Sequence, residues 1–255
     1  MSTGPGQDRA PHTAGTTRRR IEIAAMVVLV VVAVVLGVAL FVGGDGDDST
    51  ASGSTASEVN GPTPGEIGPL GELATREEGD PLAIGSVDAP VVLVEFADYR
   101  CPFCAQFSRE VEPELIDKYV DSGQLRIEWR DMPIYGEESM LAARAGRAAA
   151  EQGKFWEFNR TLYAAAPGNG HPPMNAEKLR GFAQDAGVPD LALFAAQMHS
   201  AQFDAAIGAD MSEAQQLGIP ATPAFSINGN AMLGAQPASA FTAVIDTLLD
   251  GEGEQ

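Results

Sequence analysis

The chain contains two cysteines, and both belong to the motif Cys101-Pro102-Phe103-Cys104. Thiols at this spacing can bind a metal, form a structural disulfide, stay buried and unreactive, or exchange electrons as a thiol–disulfide pair. A zinc site needs two further ligands, and no histidine of the sequence stands at ligand spacing from the motif; the three are His12, His171 and His199. A disulfide that closes so short a loop removes little chain entropy. The redox interpretation is therefore favoured, and the other three stay open as minor alternatives.

The position of the motif supports redox chemistry, because a buried strand passes into a helix there. At the first turn of a helix, the free backbone N–H groups and the helix dipole stabilise an anion. Cys101 occupies this position and is predicted to be the exposed nucleophile. Cys104, one turn later, is predicted to be buried and to resolve the mixed disulfide. Pro102 suits the first helical turn, where its missing N–H costs no hydrogen bond.

The residues around the motif predict a strand–helix–strand unit. Residues 91–96 form a short apolar and β-branched run, which is typical of a strand buried inside a sheet. Residues 102–120 carry apolar side chains at helical spacing, and residues 125–130 alternate apolar and charged side chains as a second strand. Two strands joined in this way by a helix imply a right-handed parallel unit.

The second half of the chain predicts a long helical stretch followed by a return to strands. The helical stretch is interrupted by a Gly- and Pro-rich segment at residues 168–173. After it come a strand, an Asn-Gly pair that is a strong hairpin signal, and a closing helix. These segments are residues 137–217, 224–227, 228–233 and 237–249. The predicted fold class is therefore an α/β core with a helical insertion between its two strand-rich halves.

An apolar segment near the N-terminus predicts a membrane anchor. The twenty residues 23–42 include no polar side chain, and a helix of that length spans about 30 Å, the thickness of a bilayer core. A cleaved signal peptide is the alternative, but its apolar stretch is usually shorter and ends in a small-x-small site. Three arginines at residues 18–20 precede the segment, and acidic residues follow it. The positive-inside rule therefore places the N-terminus in the cytoplasm.

These features predict four regions along the chain. Residues 1–20 form a disordered cytoplasmic tail, residues 21–43 a transmembrane anchor, residues 44–80 a flexible linker, and residues 81–250 a folded extracytoplasmic domain. The net charge is −19, and the acidic excess lies beyond residue 44. A domain this acidic, without a basic stripe, is not expected to bind nucleic acid.

Four stretches of the folded domain resemble the DsbA-like branch of the thioredoxin superfamily. In chain order they are VVLVEFADYRCPFC, GKFWEFNRTLY, GIPATPAFSING and LGAQPASAF, and the resemblance extends over most of residues 81–250. It implies a thioredoxin fold with an inserted helical domain. It also implies thiol–disulfide oxidoreductase activity, with Cys101 and Cys104 as the redox pair.

The resemblance assigns roles to residues outside the motif. Pro223, which follows Thr222, corresponds to a cis-proline that lies against the cysteines and helps to hold the substrate; by itself it would be an ordinary trans proline at a strand start. Glu95, six residues before Cys101, corresponds to a buried acid that assists proton transfer at the resolving cysteine. Its alternative is an ordinary carboxylate at a strand edge. The residues predicted to contact the substrate are Pro102, Phe103, Thr222 and Pro223.

Two positions depart from the pattern of the family. Ala221 stands where a glycine is common, and Phe103 replaces the histidine of strongly oxidising members. The residues between the cysteines tune the stability of the thiolate and hence the reduction potential. The departure at Phe103 therefore leaves the direction of electron flow open.

We expect the protein to exchange disulfides with secreted or cell-surface protein thiols, in the direction of oxidation. A separate membrane oxidase is then the expected partner that restores the Cys101–Cys104 disulfide. A reductase or isomerase with the same centre is the enzymatic alternative. A membrane-tethered binding module that has kept its cysteines incidentally is an alternative of another class. No cofactor and no metal ion are expected.

Overall fold

The computed structural model describes residues 67–250 of the 255-residue chain. The predicted tail, the predicted anchor and the first part of the predicted linker fall within residues 1–66 and therefore lie outside the described residues. Within residues 67–250, every helix is too short or too polar to cross a membrane.

A five-stranded sheet forms the centre of the domain. Its strands are β1 (Ala83–Ile84), β2 (Val91–Ala97), β3 (Leu125–Asp131), β4 (Ala224–Ile227) and β5 (Asn230–Leu233). They lie in the order β1-β3-β2-β4-β5. β2 and β3 are parallel, as predicted, and the other neighbouring pairs are antiparallel. All residues of β2 are buried, in agreement with its apolar run, whereas β1 is too short to give a periodic signal and was not predicted.

The crossover from β2 to β3 is helical but interrupted. It consists of α1 (Pro102–Glu110), α2 (Glu112–Leu115) and a π-helical turn (Ile116–Val120), where the sequence pattern predicted one continuous helix. Pro113 explains the interruption, because it lacks the N–H that would bond to the carbonyl of Arg109 and its ring crowds that carbonyl. The break lies at the C-terminal end of α1, so it leaves the start of α1 unchanged.

Three charged side chains of β3, Arg126, Glu128 and Arg130, are buried where residues 73–77 cover them. The backbone N–H groups of Thr75 and Arg76 each donate to the carboxylate of Glu128 at 2.9 Å. Glu128 also forms ion pairs with two arginines of its own strand, Arg126 and Arg130. These residues were predicted to belong to a flexible linker that extends to residue 80. The folded domain instead begins before residue 81, since the buried carboxylate ties the covering segment (residues 73–77) to the sheet.

Five helices lie between β3 and β4 and confirm the helical insertion. They are α3 (Glu137–Ala150), α4 (Phe155–Ala164), α5 (Ala176–Asp185), α6 (Leu191–Met198) and α7 (Asp204–Gln216). The ring of Tyr99, just after β2, lies 5.1 Å from that of Trp129 in β3 and 5.6 Å from that of Tyr163 in α4. A Cβ atom at Gly146 of α3 would collide with the Tyr99 hydroxyl. The insertion and the sheet therefore share one close-packed core.

The last three elements bring β4 next to α1. β4 and β5 form the predicted hairpin, and the turn residues 228–229 both have positive φ values, as a two-residue hairpin turn requires. The closing helix α8 (Ala238–Asp250) packs Phe241 against Phe107 of α1 and Phe225 of β4, with ring centroids 5.2 and 5.0 Å apart. The rings of Phe107 and Phe225 are themselves 4.5 Å apart. The residues that precede α1 and β4 are thereby brought together.

Candidate active site

The cysteine motif lies at the turn between β2 and α1. Cys101 has extended backbone angles and directly precedes Pro102, the first helical residue. Its N–H donates to the carbonyl of Asp98 at 3.0 Å, and its own carbonyl accepts from the N–H of Ala105 at 3.1 Å. Cys101 is therefore the N-cap residue of α1, and the unpaired N–H groups of the first helical turn are next to its sulfur.

Cys101 is buried, which corrects the prediction of an exposed nucleophile. Only 1% of its surface is exposed, and Cys104 has no exposed surface. The loop before β4 covers the sulfur: the thiol of Cys101 donates to the backbone carbonyl of Thr222 at 3.2 Å. Both cysteines are thiols in this structure. A position at the start of a helix thus does not ensure exposure when a loop distant in sequence packs over it.

The surroundings of the two thiols shift their pKa values in opposite directions. Hydrogen bonding with the Cys104 thiol lowers the pKa of Cys101, and burial acts against this effect. The side chain of Thr222 and the backbone N–H groups of Cys104 and Phe103 lower it further, to about 6. Burial raises the pKa of Cys104 well above its usual value, and the interactions with Cys101 raise it further. Near neutral pH, Cys101 is therefore the thiolate and Cys104 the thiol that donates to it.

The peptide bond between Thr222 and Pro223 is cis, so the alternative of a trans proline is wrong. Both residues are buried, directly before β4. The carbonyl of Pro223 accepts from the N–H of Gly234 at 2.8 Å, which ties the loop to the end of β5. The contact between Thr222 and Cys101 then joins this loop and the motif into one surface.

Glu95 lies in the central strand β2 and is 2% exposed. Its neighbours across the sheet are Trp129 and Phe225, so it is not a carboxylate at a strand edge. Burial raises the pKa of Glu95 well above its usual value, and the charges of Glu112 and Cys101 raise it further. The charge of Glu95 in turn contributes to the raised pKa of Cys104. The carboxyl group thus lies within electrostatic reach of both thiols.

Phe103 points into solvent from within the motif, with 59% of its surface exposed, whereas Pro102 is half-buried. Two more large apolar side chains are exposed nearby, Ile134 and Leu233. The N–H of Ile134 donates to Asp98, three residues before Cys101, and Leu233 ends β5 next to Gly234, whose N–H donates to the carbonyl of Pro223. The site therefore has an apolar rim, made by Phe103, Ile134 and Leu233.

A polar cluster beside the motif was missed by sequence reasoning. The carboxylate of Asp98 accepts the backbone N–H groups of Arg100, Ile134 and Tyr135 at 2.7, 2.8 and 3.2 Å. The guanidinium of Arg100 donates to the carbonyls of Tyr135 at 2.6 Å and Pro172 at 2.8 Å. The available signal was the pair of charged residues between the strand and the motif, Asp98 and Arg100.

The hydrogen-bond partners of Cys101 are those expected for a thiol that takes part in disulfide exchange. Hydrogen bonds to Thr222, to Cys104 and to backbone N–H groups surround the sulfur of Cys101. Within the part of the chain that the structure describes, no three His, Cys, Asp or Glu side chains come together as a group that could hold a metal ion.

Comparisons with known proteins agree with the fold and with thiol–disulfide oxidoreductase activity. The chain matches the sequence profile of the family described as Thioredoxin over residues 77–247. It is also 30% identical over 152 residues to the probable disulfide bond formation protein D of Bacillus anthracis. That alignment covers 58% of this chain and 70% of the relative.

Two solved structures are similar to this one. Oxidised BdbD from Bacillus subtilis has a TM-score of 0.64 and 23% identity, with 75% of this chain and 100% of that chain covered. The alpha-DsbA1 of Wolbachia pipientis has a TM-score of 0.59 and 25% identity, with 66% of this chain and 90% of that chain covered. The likeness to BdbD shows the fold alone. The thioredoxin family profile and the Bacillus anthracis relative also support the thiol–disulfide chemistry. The chain therefore belongs to the thioredoxin family, and it is a DsbA-like protein-disulfide oxidoreductase.

Proposed function

We propose that this protein is an oxidase that introduces disulfides into secreted or cell-surface proteins. The observation that carries the proposal is the inequality of the two thiols: the pKa of Cys101 is lowered to about 6, and that of Cys104 is raised well above its usual value. A thiolate that is stable near neutral pH is a good leaving group. A disulfide at Cys101 therefore passes readily to a substrate. The name of the Bacillus anthracis relative, which refers to disulfide bond formation, supports the same direction.

The proposed reaction transfers two electrons from the substrate to the cysteine pair. A substrate thiolate attacks the Sγ of Cys101 in the Cys101–Cys104 disulfide, and that bond breaks with its electron pair on Cys104. The second substrate thiolate then attacks the first substrate sulfur, and Cys101 leaves as a thiolate. The proposed partner is a membrane oxidase that accepts the two electrons and restores the disulfide.

Glu95 is proposed to supply the proton that Cys104 takes up as it leaves. Cys104 has no exposed surface, so bulk water does not reach it and an internal donor is needed. Burial raises the pKa of Glu95, which keeps the carboxyl group protonated at higher pH than an exposed one. As the Cys104 thiolate forms, its own high pKa draws the proton across.

The proposed substrates are unfolded polypeptides, and the proposed contacts are Pro102, Phe103, Thr222 and Pro223. The apolar rim of the site would bind apolar side chains that a folded client would bury. Unfolded clients are also the ones whose cysteines are still unpaired. The buried carbonyl of Thr222, 3.2 Å from the sulfur of Cys101, places the loop of Pro223 beside the point of attack.

We also propose that the domain acts outside the cytoplasmic membrane, anchored by its own chain. In this arrangement residues 1–20 are the cytoplasmic tail, residues 21–43 the anchor, and the following residues a linker to the folded domain. The support is the apolar run of residues 23–42, with arginines before it and acidic residues after it. An oxidising compartment also suits an enzyme that forms disulfides.

The direction of electron flow is tested by the reduction potential of the Cys101–Cys104 pair, measured against a glutathione series. We expect a value well above about −270 mV, which is that of thioredoxin, and stoichiometric transfer of the disulfide to a reduced, unfolded client. A value at or below about −270 mV would favour the reductase interpretation instead. A protein without any exchange would be a binding module. The double variant Cys101→Ala/Cys104→Ala is the control for background oxidation.

A further inference from the structure

Arg100, the residue directly before the first cysteine, joins the redox turn to two loops of the helical insertion. Its guanidinium donates to the carbonyl of Tyr135 at 2.6 Å, to that of Pro172 at 2.8 Å and to that of His171 at 3.3 Å. The same group forms an ion pair with Glu138 at 3.1 Å. Each of its three nitrogens therefore has a partner, and none of these partners belongs to the turn itself.

These two loops pack on each other and on the turn. One precedes α3 and the other connects α4 with α5, and the rings of Tyr135 and His171 stack between them, with centroids 3.7 Å apart. The N–H groups of Ile134 and Tyr135 donate to the Asp98 carboxylate at 2.8 and 3.2 Å. The Nδ1 atom of His171 lies 3.1 Å from the carbonyl of Arg100. Backbone and side-chain contacts thus fix both loops against the residues that lead into the cysteine motif.

The side chains of Ile134, Tyr135 and His171 form a surface that we call the insertion wall. Ile134 and His171 are exposed and Tyr135 is half-buried, so an aliphatic side chain and two aromatic rings meet the solvent beside the redox turn. A loop at the surface has few apolar contacts of its own and depends on its hydrogen bonds for order. Without the guanidinium of Arg100, three carbonyls of the two loops would lose their donor, and the position of the wall would no longer be fixed.

We propose that Arg100 is a positioning residue that holds the insertion wall beside Cys101, and that the wall binds apolar and aromatic side chains of an unfolded client next to its reacting cysteine. This inference deepens the proposed function and rests on it. A wall that is ordered before the client arrives spares the free-energy cost of ordering the loops during binding. The planar guanidinium suits this role, because its fork of donors is rigid and reaches several acceptors at once.

Arg100→Met tests the positioning role, because methionine keeps a long side chain and has no hydrogen-bond donor. Exchange is measured with the full-length protein in detergent and with two synthetic unfolded peptides, each of which carries two cysteines. Leucine and phenylalanine flank the cysteines in the apolar peptide, and serine flanks them in the polar peptide. We expect the ratio of kcat/KM for the apolar peptide to that for the polar peptide to fall about three- to tenfold, because a wall without a fixed position makes poorer apolar contacts.

Arg76→Met is the matched control for the loss of an arginine that bridges backbone carbonyls. The guanidinium of Arg76 donates to the carbonyls of Val87 and Ala89 at 3.0 and 2.7 Å, before the start of β2 and therefore at the opposite end of that strand from the redox turn. This variant should leave the ratio between the two peptides unchanged. A fall in the ratio as large as that in Arg100→Met would overturn the positioning role, because it would mean that any lost bridge has this effect.

Two further variants separate positioning from other effects of Arg100. Arg100→Lys keeps the charge without the planar fork, so it should recover only part of the ratio, and full recovery would overturn the bridging role. Ile134→Ala should lower the ratio by itself but no further in combination with Arg100→Met, because both changes act through the same wall. Equal losses of rate for the two peptides, with the ratio intact, would mean that Arg100 acts on Cys101 and not on the client, and would overturn the proposal.

A binding measurement keeps this test apart from that of the proposed function. The apolar peptide, with serines in place of its cysteines, is titrated with the wild type and with Arg100→Met, and its fluorescence anisotropy is followed. We expect the wild type to bind it about three- to tenfold more tightly. Tighter binding by a wild type that does not oxidise the cysteine-containing peptide would support the wall and contradict the oxidase proposal. Equal affinities in a wild type that does oxidise it would overturn the wall and leave the oxidase proposal intact.

Discussion

Cys101 and Cys104 differ in chemistry because they occupy different positions on one helix. Cys101, at the N-cap, receives hydrogen bonds that stabilise its thiolate, whereas Cys104 lies inside the first turn and is screened from solvent. A Cys104→Ala variant is therefore expected to accumulate mixed disulfides with client proteins through Cys101, visible as reducible bands on non-reducing gels. The Cys101→Ala variant should trap few clients or none. Equal trapping by both variants would contradict the assignment.

Glu95 is predicted to serve proton transfer at a cost in stability. Glu95→Gln keeps the shape and removes the ionisable group, so we expect slower exchange, mainly in the step that forms or breaks the bond at Cys104. The pKa of Glu95 is higher in the folded than in the unfolded state, so its contribution to stability is fully present below the unfolded pKa of about 4.5 and is lost as the pH rises towards the folded pKa. Above about pH 4.5, Glu95→Gln should therefore be more stable than the wild type, by a margin that grows with pH.

Stopped-flow exchange rates and thermal unfolding between pH 4 and 8 check both parts of this prediction. Glu177→Gln, at an exposed position on α5, is a control that should alter neither measurement. Exchange rates and a pH profile that match those of the wild type would make Glu95 a structural residue.

At the scale of elements, the covering segment shows how a strand with charged side chains becomes part of the core. Burial by itself would raise the pKa of Glu128, but the N–H groups of Thr75 and Arg76 and two neighbouring arginines outweigh it and lower the pKa to about 2. Glu128→Gln removes the carboxylate that the two buried arginines share, so we expect a loss of about 3 kcal/mol in the free energy of unfolding at pH 7. Urea denaturation measures it.

The pH dependence distinguishes this ion-pair network from mere packing. Because the pKa of Glu128 is lower in the folded state, its stabilising effect is present above the unfolded pKa of about 4.5 and is lost as the pH falls towards 2. The difference in stability between the wild type and Glu128→Gln should therefore shrink in acid. A difference that stays constant from pH 7 to pH 3 would show that Glu128 stabilises the domain through packing and not through its charge.

At the scale of the whole molecule, the arginines at residues 18–20 and the acidic residues after the apolar run predict a cytoplasmic N-terminus and an outer redox domain. Protease added to intact cells should remove the domain that contains Cys101 and leave a small membrane-bound fragment. Permeabilised cells are the control, in which the N-terminal tail should also become accessible. Protection of the redox domain in intact cells, with digestion of the tail instead, would reverse the orientation.

Local patterns were sufficient for the strand–helix–strand unit, for the position of Cys101 before the helix and for the hairpin. The change from strand to helical periodicity predicts where β2 ends and the helix begins. The N-cap position of Cys101 follows from Pro102 at the first helical turn. The hairpin after β4 follows from an Asn-Gly pair, because these residues accept positive φ at little cost. Each of these features depends on residues a few positions apart, so the sequence by itself determined them.

The environment of the redox pair was decided by contacts between residues far apart in the chain. The carbonyl that covers Cys101 belongs to Thr222, 121 residues later, and for this reason the predicted exposure of Cys101 was wrong. The loops held by Asp98 and Arg100, and the covering segment on β3, were likewise absent from any local pattern. Periodicity reports which face of an element is apolar, but not which loop packs against it. Burial, hydrogen-bond partners and hence the pKa values of the two thiols could therefore be known only from the tertiary structure.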